Sequence, residues 1–154
     1  MSVEIERKFL VRDERWKALG QGVLLRQGYL SSHPDRVVRV RVEGTAATLT
    51  IKGRTQGATR GEWEYPIPPE DAQALLDGLC ERPIIEKYRY RISHEGMVWE
   101  VDEFLGENAG LVVAEVELQS EDQAFARPEW VGEEVTHDAR YFNANLLRHP
   151  YSRW

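Results

Sequence analysis

The sequence predicts an α+β fold: a closed, eight-stranded antiparallel β-barrel with a charged lumen and helices packed on its outside. Three observations predict it. Apolar and polar residues alternate with a two-residue period over 3–11, 22–31, 36–43, 46–53, 60–67, 84–93, 96–104 and 111–119, which are eight runs of strand length. The connections Ser32-His33-Pro34-Asp35, around Gly44, and His94-Glu95-Gly96 are too short for parallel crossovers and suit hairpins. The charged residues of the polar faces are sorted by sign, strand by strand.

In the first run, Glu4, Glu6 and Lys8 share one face while Val3, Ile5 and Phe9 take the other. Asp13 can cap a short helix carrying Trp16 and Leu19, stopped by Gly20. Arg39 and Arg41 then oppose Val38, Val40 and Val42; Lys52 opposes Leu49 and Ile51; Glu62 and Glu64 oppose Trp63 and Tyr65. Pro69, Glu70 and Asp71 make a favourable first turn for a second helix, whose Ala72, Leu75, Leu76 and Leu79 form an apolar stripe that wants a sheet to cover. Lys87, Arg89 and Arg91 oppose Tyr88, Tyr90 and Ile92; Glu100 and Asp102 oppose Trp99 and Val101; Glu115 and Glu117 oppose Ala114, Val116 and Leu118. Ser120 and Gln123 have capping-box spacing for a third helical region. Asp138 can cap a last helix, with Phe142 and Leu146 on one side and Pro150 ending it.

An antiparallel sheet with one wet face would show the same alternation, but a solvated face has little reason to pair like charges. Carboxylates two apart on a strand repel by about 0.6 kcal/mol in water and about 2–3 kcal/mol at an effective dielectric near 20. An enclosed version therefore needs counter-ions. The large residues opposite the charges, Trp63, Tyr88, Tyr90 and Trp99, need cover rather than bulk water. Closing the sheet removes its edges and turns the charged faces inward, toward a lumen that water, metal ions and a highly charged ligand must fill. A polyphosphate with divalent cations supplies both signs.

Bulk properties agree. A chain of 154 residues with 42% apolar content forms one domain, 1–154, and the net charge of −6 disfavours a broad nucleic-acid surface. Charges from Glu4 onward leave no secretory signal, no run is long enough to span a bilayer, and the lone Cys80 rules out an internal disulfide. A cytoplasmic protein, monomer or homodimer, is expected. The acidic set offers only oxygen, which favours Mg²⁺ or Mn²⁺ over zinc; the basic set offers donors for phosphate oxygens.

Glu4-Ile5-Glu6-Arg7-Lys8 resembles the signature of the CYTH, or triphosphate tunnel metalloenzyme, superfamily, and within it the small stand-alone bacterial-type triphosphatases. The resemblance runs through Gln27-Gly28-Tyr29-Leu30, Val38-Arg39-Val40-Arg41, Thr50-Ile51-Lys52-Gly53, Glu62-Trp63-Glu64, Glu86-Lys87-Tyr88-Arg89 and Glu115-Val116-Glu117. It implies that Glu4, Glu6 and Glu117, helped by Glu115, hold metal. Lys8, Arg39, Arg41, Lys52, Lys87 and Arg89 would grip the phosphates. Glu62, Glu64 and Asp102 would hold or orient a second ion and its water. Tyr29 is a candidate proton-transfer phenol or a packing residue, and Arg140 a plug for one mouth or a surface residue. The implied chemistry is in-line attack of a metal-activated water on a terminal phosphorus.

Inorganic tripolyphosphate is the favoured substrate, because the compact chain spends few residues on loops that recognise a base or a thiamine. A class IV adenylate cyclase, a thiamine or nucleoside triphosphatase, and a non-catalytic polyphosphate-binding module are the alternatives; the retained acidic strands argue against the module. His33, His94, His137 and His149 lack zinc-ligand spacing, and Lys52-Gly53 lacks the approach of a P-loop. Trp130, Tyr151 and Trp154 are expected to pack in the core or a lid.

Overall fold

The computed structural model describes residues 2–154. The strands are β1 (Ser2–Val11), β2 (Val23–Ser31), β3 (Arg36–Glu43), β4 (Ala46–Gly53), β5 (Thr59–Pro66), β6 (Ile85–His94), β7 (Met97–Phe104), β8 (Val112–Glu117) and β9 (Val131–Glu134). They are joined in the order β5-β4-β3-β2-β6-β7-β8-β1-β9, and β5 also pairs with β1. That last pairing, Ser2↔Glu62 through Ile5↔Thr59, closes eight strands into a barrel in which all pairs are antiparallel.

All eight runs of alternation form the barrel strands. The ninth strand escaped the alternation argument: at four residues it is too short for a periodic signal, and it extends the β5 edge of β1 through Phe9↔Glu134 and Val11↔Val131. The β6–β7 hairpin turns on Glu95 and Gly96, both at positive φ (46° and 80°), the two-residue geometry whose twist matches the strands. Gly28 serves a close approach instead, since a Cβ there would lie 2.9 Å from Cβ of Cys80.

Three apolar clusters hold the barrel. Outside β1, β6, β7 and β8, Phe9, Ile92, Trp99, Val101, Ala114 and Val116 pack with Trp16, Leu118, Trp130 and Val131. The cover there is the irregular chain from 118 to 131 and the 3₁₀ turn Arg15–Ala18 rather than long helices. Outside β3 and β4, helix α1 (Pro69–Gly78) lays Ala72 and Leu76 on Val40, Ala47 and Cys80. Leu79 does not join that stripe: it follows the helix's last turn and is 70% exposed. Tyr88 and Tyr65 also stay largely uncovered.

The third cluster lies within the barrel. Cross-strand partners share a face, so Lys87↔Phe104 and Tyr29↔Arg39 place Phe104 and Tyr29 on the same inward side as the charges, with Ile85, Val37 and Val113 by alternation. These residues pack against Tyr141, Leu146 and Leu147. The expected last helix is thus two short pieces, a 3₁₀ turn Ala139–Tyr141 and α2 (Asn143–Leu146), which pack into one end of the barrel instead of on its outside. Asp138 does cap the first piece, accepting from the Arg140 backbone N–H at 3.1 Å. No helix forms at Ser120–Gln123; there the Gln123 side chain accepts from the Gln119 N–H at 2.6 Å, one residue before the Ser120 N–H that a capping box would use, and closes a loop.

Candidate functional site

A cavity of about 610 Å³ runs through the barrel, within the range of ligand pockets, roughly 300–1,000 Å³. It reaches from the β3–β4 hairpin end, at Glu43 and Ala46, to the opposite end, rimmed by Ser32, Arg54, Gly57 and Asn145. Glu4, Glu6, Lys8, Tyr29, Arg39, Arg41, Lys52, Glu62, Glu64, Lys87, Arg89, Glu115 and Glu117 all line it. The reason is local: each sits on the inward parity of its strand, and barrel closure points every such position at the same space.

The cations fall into two groups. Lys52 Nζ donates to both Glu4 oxygens, at 2.9 and 3.1 Å. Lys8 Nζ donates to Glu6 at 2.6 Å and Glu115 at 3.1 Å. Lys87 Nζ meets Asp102 at 2.8 Å and donates to Asn143 Oδ1 at 2.7 Å. Arg89 grips Asp102 with a fork, at 2.7 and 2.9 Å. By contrast, Arg41 Nε donates to the neutral Gln27 Oε1 at 3.1 Å, and Arg39 reaches only Thr50 Oγ1 at 3.4 Å. Among the described residues, Arg39 Nε is buried without a partner. Of the six cations expected from the sequence, Arg39 and Arg41 are thus the two with no carboxylate of their own.

Protonation follows this arrangement. Burial raises the Glu4 carboxyl, but the Lys52 ammonium, the Glu62 proton and Lys8 outweigh it and hold Glu4 at about 2. The hydrogen bond to Glu4, burial and the Glu4 charge push Glu62 up to about 8. Burial, with Glu4, Glu6 and Glu100 nearby, also raises Glu117. Burial lowers Lys87 to about 7 despite Asp102, with Arg89 and Arg41 adding repulsion. Burial and the same kind of repulsion from Arg39 and Arg89 push Arg41 below its ordinary value, although a guanidinium stays charged at neutral pH. Burial raises the Tyr29 phenol, which accepts from Gln27 Nε2 at 3.1 Å and is therefore a neutral group in this setting.

Two candidates sit elsewhere. Asp102 faces inward but is 1% exposed, is absent from the cavity lining, and spends both oxygens on Lys87 and Arg89. It anchors cations rather than offering a free ligand atom. Arg140 is an exposed residue paired with Asp138 at 2.7 Å and stacked on Trp154, away from the cavity lining.

Several lining or supporting residues carry no assignment from the sequence. Arg60 lines the cavity and bonds Gly53 O at 3.2 Å, and its position in Thr59-Arg60-Gly61-Glu62 has the inward parity of Glu62, a signal that could have found it. Arg91, bonded to Glu43 twice at 3.0 Å and to Glu100 at 3.2 Å, was legible in the same way. Asn143 carried no such signal, because it lies on α2, outside any strand.

The acidic members supply oxygen donors suited to a hard divalent ion. Among the described residues no three of them converge as a preformed metal centre, since the ammonium groups of Lys8 and Lys52 stand among them as counter-ions. The raised Glu62 and Glu117 mark where negative charge is under-compensated.

Comparison with known proteins agrees with this architecture. The CYTH domain model matches residues 2–151. The chain is 51% identical over 154 residues to an inorganic triphosphatase of Acetivibrio thermocellus, covering 100% of this chain and 99% of the relative. It is 42% identical over 147 residues to an inorganic triphosphatase of Nitrosomonas europaea, covering 93% and 95%. A crystal structure of an inorganic triphosphatase superposes with a TM-score of 0.67 at 38% identity, covering 93% of this chain and 96% of the other. The domain model matches nearly the whole chain and two relatives match it along almost their full length, so the chain belongs to the CYTH domain family.

Proposed function

We propose that this chain, working as the single domain 1–154, hydrolyses inorganic tripolyphosphate to pyrophosphate and phosphate with divalent metal ions. The observation that carries the reading is the cavity itself, in which the six basic and six acidic side chains named above, from six strands, face one enclosed space. The names of the two relatives, full-length matches at 51% and 42% identity, support the same substrate class.

Arg39 and Arg41 are the first grips for the phosphate chain, because they have no carboxylate to give up. Lys8, Lys52, Lys87 and Arg89 share their carboxylates with it. Glu4, Glu6, Glu115 and Glu117 would hold one metal ion, with Glu62 and Glu64 beside a second; Mg²⁺ or Mn²⁺ suits the all-oxygen set. When bound, such ions neutralise phosphate charge and supply an activated water. Asp102 aims Lys87 and Arg89 and keeps Arg89 charged, and the neutral Tyr29 orients a proton by hydrogen bonding rather than acting as an anionic base. Enclosure makes each of these charges count for more than it would in water.

The test is phosphate release from tripolyphosphate, ATP and thiamine triphosphate side by side, with cyclic AMP monitored. Tripolyphosphate turnover is expected only with a divalent ion, and Glu4→Ala or Glu6→Ala abolishes it while circular dichroism stays native. Metal-independent turnover, or cyclic AMP as the main product from ATP, would refute the reading.

A further inference from the structure

Asn143 sits at the first turn of α2, where the C-terminal segment enters the barrel, and it lines the cavity. Its Oδ1 accepts from Lys87 Nζ at 2.7 Å and from Gln27 Nε2 at 3.2 Å. Gln27 Oε1 accepts in turn from Arg41 Nε at 3.1 Å. The guanidinium of Arg41 can only donate, so it fixes the direction of each amide along this chain. Arg41 forces the Gln27 oxygen toward itself, which turns the Gln27 nitrogen to Asn143 and so the Asn143 oxygen inward, toward Lys87. A flipped Asn143 would set its N–H₂ against the N–H₂ of Gln27 and give up the hydrogen bond it accepts from Lys87.

The same logic fixes the other end of the Asn143 amide. Nδ2 is held opposite to Oδ1, and among the described residues it has no acceptor. It is a neutral double donor on the cavity wall, next to Lys87 and one amide away from Arg41.

We propose that Asn143 is a substrate-binding residue whose Nδ2 donates to an oxygen of the bound phosphate chain, its Oδ1 being locked by Lys87 and Gln27. This rests on the tripolyphosphate reading above and adds to it a residue from outside the strands. A neutral donor fits the place: Lys87, Arg41 and Arg89 already crowd that wall with positive charge, as the lowered Lys87 and Arg41 show. One more cation there would repel its neighbours, while an amide adds a hydrogen bond without charge.

The test separates contact from mere support. Asn143→Asp keeps an acceptor for Lys87 and Gln27 but replaces the donor with a carboxylate oxygen; Asn143→Ala removes both. Asn145→Asp, on the same helix and also lining the cavity, controls for added negative charge. Tripolyphosphate binding is measured by titration calorimetry, with melting curves for each variant. A lost donor to a charged oxygen weakens binding about 10-fold or more, so Asn143→Asp is expected to bind at least that much more weakly than Asn145→Asp, and no better than Asn143→Ala. Its melting temperature should be no lower than that of Asn143→Ala. Asn143→Asp binding better than Asn143→Ala, or Asn145→Asp matching Asn143→Asp, overturns the proposal. Wild-type protein that binds tripolyphosphate without hydrolysing it under any metal would sink the enzymatic reading and leave this one standing.

Discussion

On β1, β4 and β6 the inward cations Lys8, Lys52, Lys87 and Arg89 each meet a carboxylate within 3.1 Å, whereas on β3 Arg39 and Arg41 meet only a hydroxyl and an amide. Both sets are held in the same cavity by the same alternation. The first is neutralised by the protein and needs no ligand to be stable; the second is left for a ligand to neutralise. The difference implies that removing a charge has opposite effects on the two sides: breaking a pair costs stability, while removing an unpaired arginine relieves the empty protein and costs function.

The largest effect belongs to Asp102. It is 1% exposed and serves Lys87 and Arg89 at once, so Asp102→Ala leaves the buried Arg89 cation without its counter-charge and Lys87 without the partner that holds its proton. Removing one partner of a buried pair costs about 3–5 kcal/mol, and the urea midpoint should fall accordingly. An unchanged midpoint would mean that water, rather than Asp102, neutralises that side.

Arg39→Met should do the reverse. Its buried Nε has no partner, and relief of such a group is worth about 1 kcal/mol, or roughly 2–4 °C in melting temperature for a chain of this size. Removing one charge-stabilising donor should meanwhile cost about 10²-fold or more in kcat for tripolyphosphate. A variant that melts lower than wild type without ligand would erase the distinction between the two sides.

A third measurement probes the acidic end of the same cavity. Glu62 is raised from 4.5 to about 8 by Glu4 and burial, so the folded protein holds a proton there that the unfolded chain releases. Folded-state proton binding exceeds the unfolded, and stability therefore falls as pH rises from about 4.5 toward 8. In EDTA the melting temperature should decline across that window by a few degrees, and Glu62→Gln should flatten the decline. A divalent ion should flatten it too, because it takes over the proton's role. No slope in EDTA would show that Glu62 is ionised beside Glu4 and screened by solvent.

How much of this was legible follows from which residues have a period. The eight barrel strands and the inward set from Glu4 to Glu117 were readable because a two-residue repeat assigns each side chain a face, and like-signed neighbours on one strand need enclosure. Closure itself left no local mark; it lies in the pairing of β1 with β5, residues about sixty apart in the chain. The pairing of Asp102 with Lys87 and Arg89 depends on register between β6 and β7, so its charge was visible and its role was not. Asn143, the four-residue β9 and the inward packing of Leu146 lie where no period runs long enough to assign a face.

The smallest effect lies outside the cavity and serves as a reference for it. Arg7 has the outward parity of β1, and its fork donates to both Glu134 oxygens on β9, at 2.6 and 2.8 Å, with Thr136 Oγ1 at 2.5 Å from the same carboxylate. The Arg7 hydrogen bonds outweigh burial and hold Glu134 at about 2, below its ordinary 4.5. A depressed carboxyl stabilises above the unfolded value and loses that contribution as pH falls, here between about 4.5 and 2. Both side chains are about a quarter exposed, so solvent screens the pair and its worth should be about 1 kcal/mol or less. Arg7→Met is therefore expected to lower the melting temperature slightly at pH 7, to converge with wild type near pH 2, and to leave the EDTA slope between pH 4.5 and 8 untouched. A change in that slope would couple the outer pair to Glu62 across the β1–β5 seam, and the cavity could no longer be treated as electrostatically separate from the barrel's outer surface.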